Sequence, residues 1–202
     1  NAYPQTVIYD NTQAASFSTY STTYLLQRFD IVDANKYITE VSLLLNKTGT
    51  PSTEQFTISI FNYVETGYNV GTKVTDLYTG FISGLSASPS LMTINMYNKT
   101  AGLWPVQLQT GNSYWLAVYS ATASTNGPSW GYTDVTSGSF GPGFALDSRE
   151  GTSLGSLSGS LENPFQMRIK AIDKPALPMV GRGYGNFSIA LKSDGKVYTW
   201  GY

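Results

Sequence analysis

The chain has 202 residues and a formal net charge of −1, with 12 Lys and Arg against 13 Asp and Glu. Charged residues make up 12 % of it, about half the usual share of roughly 25 %, and no basic cluster predicts nucleic-acid binding. The absence of histidine and cysteine excludes Ser-His-Asp and Cys-His catalysis, His or thiolate metal ligation and disulfides. No apolar run approaches the ~20 residues of a membrane-spanning helix.

The composition predicts β-structure with a neutral, hydroxyl-rich surface. The chain holds 15 Tyr, 9 Phe and 4 Trp, and 41 % of its residues are hydrophobic, which argues against disorder. Aromatic residues are enriched in strands, while Ser, Thr, Gly and Asn fill the polar positions. A chain of this length forms one large domain or two small ones.

Strands are predicted wherever apolar and polar residues alternate. In chain order they are 5–9, 14–18, 26–32, 37–46, 56–62, 74–82, 91–97, 114–119, 143–148 and 165–171. Turn signals such as "NKTGTPS", "SGLSASPS" and "TSGSFGPG" separate them, and no long window has a helical period. Many short strands with such turns predict an all-β fold, an antiparallel jelly-roll-like β-sandwich over residues 1–172.

Two of these strands have informative patterns. "YWLAVY" at 114–119 is apolar on both faces, which is typical of a central strand with the core on one side and a cover on the other. "FQMRIKA" at 165–171 alternates apolar residues with Gln166, Arg168 and Lys170, which predicts one buried and one solvated face.

The C-terminal part is predicted to be a linker followed by a hairpin. Pro175 and Pro178 indicate a stiff, extended connection over 173–181. Two alternating segments then flank an Asp194-Gly195 turn, which predicts a β-hairpin in 182–202. The apolar side chains of this hairpin are Phe187, Ile189, Leu191, Val197, Tyr198 and Trp200. An isolated hairpin is marginal in water, so we expect another surface to cover it.

The sandwich region resembles the choice-of-anchor R domain of bacterial and environmental surface proteins. The motifs that carry the resemblance are "GTPSTEQFTISIF", "TGNSYWLAVYSAT", "SWGYT" and "NPFQMRIKA", in that order, between Phe17 and Ala171. The resemblance implies an extracellular, non-enzymatic sandwich.

The tail "GYGNFSIALKSDGKVYTWGY" is similar to the start of a regulator-of-chromosome-condensation-type propeller repeat. The pattern S-L-A-L-x-x-D-G-x-V-Y-x-W-G of that repeat aligns from Ser188 to Gly201, although Phe187 stands where the repeat often has His. A propeller needs several blades, and the tail supplies part of one.

The hairpin could be covered in three ways: by a second copy of the chain, by an edge of its own sandwich, or by further blades of a longer protein. Strand donation to a copy is favoured because the linker holds the hairpin away from its own domain. The predicted function is therefore a non-catalytic structural module, extracellular or at the cell surface. It would self-associate into filaments or rings, with the six apolar hairpin residues as the subunit interface. A fragment preceding a β-propeller is one alternative.

A carbohydrate-binding or adhesin module of a larger surface or phage-type protein is the other alternative. Trp104, Trp130 and Tyr132 lie in loop-like contexts, "GLWPVQ" and "PSWGYT", and aromatic rings of this kind can stack on sugars. The competing interpretation, which is favoured, is that these rings pack against the ends or edges of the sandwich.

No catalytic residue or cofactor is predicted. Paired carboxylates could act in a glycosidase, but the candidates are scattered: Asp30, Asp33, Glu40, Glu54, Asp134, Asp147, Glu150 and Glu162. "YDN" at 9–11 and "DIVD" at 30–33 leave room for a structural calcium ion.

Overall fold

The structure is a computed structural model that describes residues 5–14, 18–21, 23–50, 53–65, 70–96, 105–120, 127–158, 160–173, 179–182, 187–191 and 197–201. Its strands are β1 (Thr6–Asp10), β2 (Ser18–Ser21), β3 (Tyr24–Asp30), β4 (Lys36–Lys47), β5 (Gln55–Asn62), β6 (Lys73–Phe81), β7 (Ser90–Asn95), β8 (Val106–Leu108), β9 (Ser113–Ser120), β10 (Pro128–Tyr132), β11 (Phe144–Ser153), β12 (Ser156–Leu157), β13 (Met167–Ile172), β14 (Met179–Arg182), β15 (Phe187–Leu191) and β16 (Val197–Gly201). Within these ranges one short 3₁₀ turn, Ile82–Gly84, is the helical element, and no helix is long and apolar enough to cross a membrane.

The predicted all-β fold is confirmed, and its strands form two large antiparallel sheets and a smaller third one. Sheet I has the order β1-β13-β4-β10-β2, with β7 and β8 also paired to β4. Sheet II has the order β12-β11-β3-β9-β5-β6. A third, separate sheet has the order β14-β15-β16 and is called the C-terminal sheet below.

One apolar core contains side chains from both large sheets, which is the arrangement of a β-sandwich. Sheet I contributes Val41 and Ile169, and sheet II contributes Phe29, Ile58 and Leu116, all buried. The register of β4 with β13 shifts between the pairs Lys170–Glu40 and Ala171–Ile38. This β-bulge lets Ile38 and Val41 both face the core, although a regular strand would place them on opposite faces.

The two-faced pattern predicted for "YWLAVY" is confirmed. The segment lies in β9, which pairs with β3 on one side and β5 on the other. Leu116 lies in the inter-sheet core, whereas Trp115 and Ala117 lie in a second cluster on the outer face of sheet II, with Leu26 and Phe61. Sheet II is therefore covered on both faces in this region.

In β13 and the two residues before it, the predicted apolar face is buried, and Arg168 and Lys170 are half-exposed. Gln166 departs from the prediction because it is buried. Its side-chain amide donates hydrogen bonds to the carbonyl oxygens of Ala14 (2.8 Å) and Asn11 (3.4 Å).

Several strands depart from the prediction. Residues 15–17 of the strand expected over 14–18 lie outside the described residues, β2 begins at Ser18, and β8 and β12 were not predicted. "SWGYT", expected in a loop, lies largely in β10, between β4 and β2. Gly131 fits this strand because a Cβ there would lie 2.7 Å from Leu44 Cδ2.

Candidate functional sites on the C-terminal sheet and sheet II

The C-terminal sheet has three strands, so the predicted two-stranded hairpin is incomplete. Residues 179–181, assigned to the linker from sequence, belong to β14, which pairs antiparallel with β15 from Met179–Leu191 to Arg182–Ser188. The physical reason is that "MVGR" has no proline and its backbone can pair with β15. The linker region therefore ends before Met179, and Lys174–Pro178 lies outside the described residues.

The apolar residues predicted at a subunit interface lie on two paired strands. Phe187, Ile189 and Leu191 lie on β15, and Val197, Tyr198 and Trp200 lie on β16. The register pairs Leu191 with Val197 and Ser188 with Trp200. The Asp194-Gly195 turn lies outside the described residues.

Both faces of β16 are open at its beginning. Val197 is 62 % exposed and Tyr198 is 43 % exposed, and Thr199 is exposed as well. Because successive strand residues point to opposite faces of a sheet, these exposures place partly solvent-exposed side chains on both faces. β16 is also the last strand in the order of its sheet.

Two of the three rings considered for glycan stacking, Trp130 and Tyr132, are buried. Trp130 is 0 % exposed and stacks on Phe165 with ring centroids 4.9 Å apart. Its indole N–H donates a hydrogen bond to the carbonyl oxygen of Gln166 at 2.9 Å. Tyr132 is 8 % exposed. Neither ring offers an open face to a sugar in this arrangement, and Trp104 lies outside the described residues.

A polar groove of about 480 Å³ lies at the end of sheet II where β3 and β5 finish and β9 begins. It is lined by Arg28, Asn62, Tyr63, Glu65, Gly111, Asn112 and Ser113. Sequence analysis did not identify it because its residues come from three separate segments. The long-range pairing of Asp30 with Ser113 and of Asn62 with Tyr114 brings these segments together.

Arg28 is held rigidly in this groove. Its Nε and Nη2 donate to the two carboxylate oxygens of Asp30 at 2.9 and 3.2 Å, and Nη2 also donates to Ser113 Oγ at 3.1 Å. The guanidinium lies 4.6 Å from the centre of the Tyr63 ring, within cation–π range. Burial acts to lower the pKa of Arg28, but the hydrogen bond and charge of Asp30 outweigh it and raise this pKa overall.

A second arginine repeats this arrangement next to the groove. Arg149 pairs with Asp147 at 3.1 Å, and its guanidinium lies 5.2 Å from the Trp115 ring centre. The Tyr63 and Trp115 rings are themselves 5.2 Å apart. On the outer face of sheet II, two Arg–Asp pairs therefore pack against the rings of Tyr63 and Trp115.

Away from the groove, Glu40 and Asp76 are engaged in ion pairs. Glu40 accepts from Arg168 and Lys170 at 3.3 and 2.8 Å. Asp76 accepts from Ser59 and Lys73; burial acts to raise its pKa, but these two partners lower it overall. In the part of the chain that the structure describes, no three Asp or Glu side chains form a group that could hold a metal ion. Asp10, considered for calcium, accepts hydrogen bonds from Thr12.

Comparisons with known proteins identify no family for this chain. No family model matches it, and no curated protein matches it. One solved structure with a similar chain trace contains the cysteine protease and lectin-like domains of Cwp84, a surface layer associated protein of Clostridium difficile. The two are 13 % identical with a TM-score of 0.46, and the match covers 77 % of this chain and 33 % of the other. The chain therefore spans about one third of the length of that structure.

Proposed function

We propose that the chain is a non-catalytic structural module of an extracellular or cell-surface protein, and that it associates with copies of itself through its C-terminal sheet. The observation that carries this proposal is the exposure of Val197, Tyr198 and Thr199 on the last strand of that sheet. An exposed edge strand presents unpaired backbone groups to any neighbouring strand, and its open apolar side chains would be buried by the same contact.

The charge of the chain is compatible with packing against copies. A net charge of −1 over 202 residues creates little repulsion between identical subunits. Fully burying a Val side chain contributes roughly 1.5–3 kcal/mol, so pairing at β16 would add apolar burial to its backbone hydrogen bonds. An added strand of this kind is a known mode of peptide recognition.

Particle size in solution tests the proposal. We expect the whole chain to form dimers or larger particles in light scattering and electron microscopy, and a chain ending at Lys174 to be monomeric. A dimer would indicate that two β16 strands pair with each other, and a longer assembly would indicate a head-to-tail contact. Monomers of the whole chain at high concentration would overturn the proposal.

A second candidate is that the C-terminal sheet begins a propeller. Its three strands form an antiparallel meander in chain order, and a propeller blade is a four-stranded sheet. In that case the open edge of β16 would be covered by chain that follows it rather than by a copy. Hydrogen exchange separates the two, because only self-association makes the protection of the β16 amides rise with protein concentration.

A further inference from the structure

The groove on sheet II has the size and construction of a ligand site that is independent of the C-terminal sheet. Its volume of about 480 Å³ lies within the ~300–1,000 Å³ of small-molecule sites. Six of its seven lining residues, Arg28, Asn62, Tyr63, Glu65, Asn112 and Ser113, have a side chain with a polar nitrogen or oxygen. The lining residues therefore include both hydrogen-bond donors and acceptors.

The turn that forms one wall of the groove is fixed before any ligand binds. The amide of Gly111 donates to the carbonyl oxygen of Ile31 at 2.7 Å, and the amide of Ile31 donates to the carbonyl oxygen of Asn112 at 3.0 Å. Thr110 adds bonds to Asn35 Oδ1 and to the carbonyl oxygen of Val32. Gly111 has a φ of 78°, a conformation that glycine adopts at little cost. Such a turn loses little entropy when a ligand binds.

The opposite wall is fixed by Tyr63 and Arg28. The Tyr63 amide donates to the carbonyl oxygen of Ser113 at 3.1 Å, and its half-buried ring packs between the Arg28 guanidinium and Trp115. Arg28 in turn donates hydrogen bonds to Asp30 and Ser113. The polar atoms of this wall are therefore held in place by packing as well as by hydrogen bonds.

The charges of the groove select against an anion. The positive charge of Arg28 is compensated by the two-point contact with Asp30, and Glu65 adds an exposed carboxylate. An apolar ligand is also disfavoured, because it would remove polar groups from water without replacing their hydrogen bonds. The groove therefore fits best an uncharged ligand that both donates and accepts hydrogen bonds at closely spaced positions.

We propose that this groove binds an uncharged saccharide through Arg28, Asn62, Tyr63 and Asn112. Each sugar hydroxyl is a donor and an acceptor, so neighbouring hydroxyls can bond both to the amide groups of Asn62 and Asn112 and to the guanidinium group of Arg28. This site differs from the buried rings of Trp130 and Tyr132 and places sugar contacts on the outer face of sheet II.

The test uses the full chain labelled with ¹⁵N and titrated with four tetrasaccharides. The neutral probes are cellotetraose, chitotetraose and maltotetraose, and tetragalacturonate is the anionic comparison. We expect at least one neutral probe to shift the amide signals of Gly111, Asn112 and Tyr63 at millimolar concentration or below, with weaker binding of the anion.

Two groove variants and one control variant test whether the saccharide binds in the groove. We expect Asn112→Ala and Arg28→Lys each to weaken binding of the neutral probe about fivefold, because a typical hydrogen bond contributes about that much and one to a charged group contributes more. Asn112 is exposed, so its substitution leaves the fold intact even if Arg28→Lys does not. Gln55→Ala is the matched control, because Gln55 is exposed at the opposite end of β5.

Three outcomes would overturn the saccharide site. The first is that no neutral probe shifts these amides. The second is that both groove variants bind as well as the control, and the third is that tetragalacturonate alone binds. None of these results depends on whether the chain associates with copies of itself, so they leave the proposal for the C-terminal sheet intact.

Discussion

At the scale of single residues, two buried amide side chains hold the backbone of Phe165 from opposite sides. Gln27 Oε1 accepts a hydrogen bond from its amide at 2.7 Å, and Asn11 Nδ2 donates to its carbonyl oxygen at 3.1 Å. Asn11 Oδ1 also accepts from the Met167 amide at 2.8 Å. Gln27 belongs to sheet II and Asn11 directly follows β1 of sheet I, so these amides connect the two sheets. Sequence patterns do not reveal such long-range pairs.

The buried hydroxyl group of Tyr9 leads to a prediction about the stability of the fold. Its ring is fully buried, and among the described residues its hydroxyl has no hydrogen-bond partner. A buried polar group without a partner costs about 1–3 kcal/mol. We therefore expect Tyr9→Phe to raise the free energy of unfolding in urea by about 1 kcal/mol. A loss of stability of that size would show that the hydroxyl is bonded in solution.

The pH dependence of the same variant is a further check. Burial raises the pKa of Tyr9 well above its ordinary value, so the unfolded chain loses this proton near pH 10 while the folded chain keeps it. The stability linked to this raised pKa is fully present below pH 10 and is lost as the pH rises above 10. We expect the free energy of unfolding to fall less steeply above pH 10 in Tyr9→Phe than in the wild type. The other tyrosines titrate in both proteins, so the comparison between them isolates the effect of Tyr9.

At the scale of strands, close packing between β10 and β4 explains why glycine occupies position 131 of a strand. A Cβ on Gly131 would lie 2.7 Å from Leu44 Cδ2, nearer than two carbons can approach. The end of the half-buried Leu44 side chain can shift and relieve part of this contact, so the cost lies at the lower end of the ~1–3 kcal/mol of overpacking. We expect Gly131→Ala to lower the free energy of unfolding by about 1 kcal/mol.

A double-mutant cycle with Leu44→Ala isolates the contact. Removing the Leu44 side chain opens the space, so Gly131→Ala should cost about 1 kcal/mol less in the Leu44→Ala background than in the wild type. Additive effects of the two substitutions, measured by urea denaturation, would show that the cost comes from the backbone instead.

The sequence predicted the strands whose side chains alternate and missed those that depend on partners. The two-faced pattern of β9 and the apolar face that includes Met167 and Ile169 were sufficient to place these segments in the sheets. β10 was taken for a loop because Pro128 and Gly131 interrupt its pattern, and its pairing with β4 decides its conformation. The bulge near Thr39 also has no local signal, because it is a property of the register between two strands.

At the scale of the whole molecule, composition and periodicity were enough to predict two antiparallel layers, because a charge-poor, aromatic-rich chain with short alternating segments has few other folds. The C-terminal strands β15 and β16 were visible through their alternation and the Asp194-Gly195 turn. β14 was not, since "MVGR" follows two prolines. The groove on sheet II could not be predicted because Arg28 and Ser113, which face each other there, are far apart in sequence.

Sedimentation velocity of the full chain over a wide concentration range tests self-association through β16 most directly. The matched variants are Val197→Lys on β16 and Val32→Lys on the sandwich, because both valines are exposed at 62 % and 55 %. We predict that the wild type and Val32→Lys sediment faster as concentration rises, while Val197→Lys remains monomeric because a charge cannot be buried in the contact. Identical sedimentation of all three proteins would contradict the account.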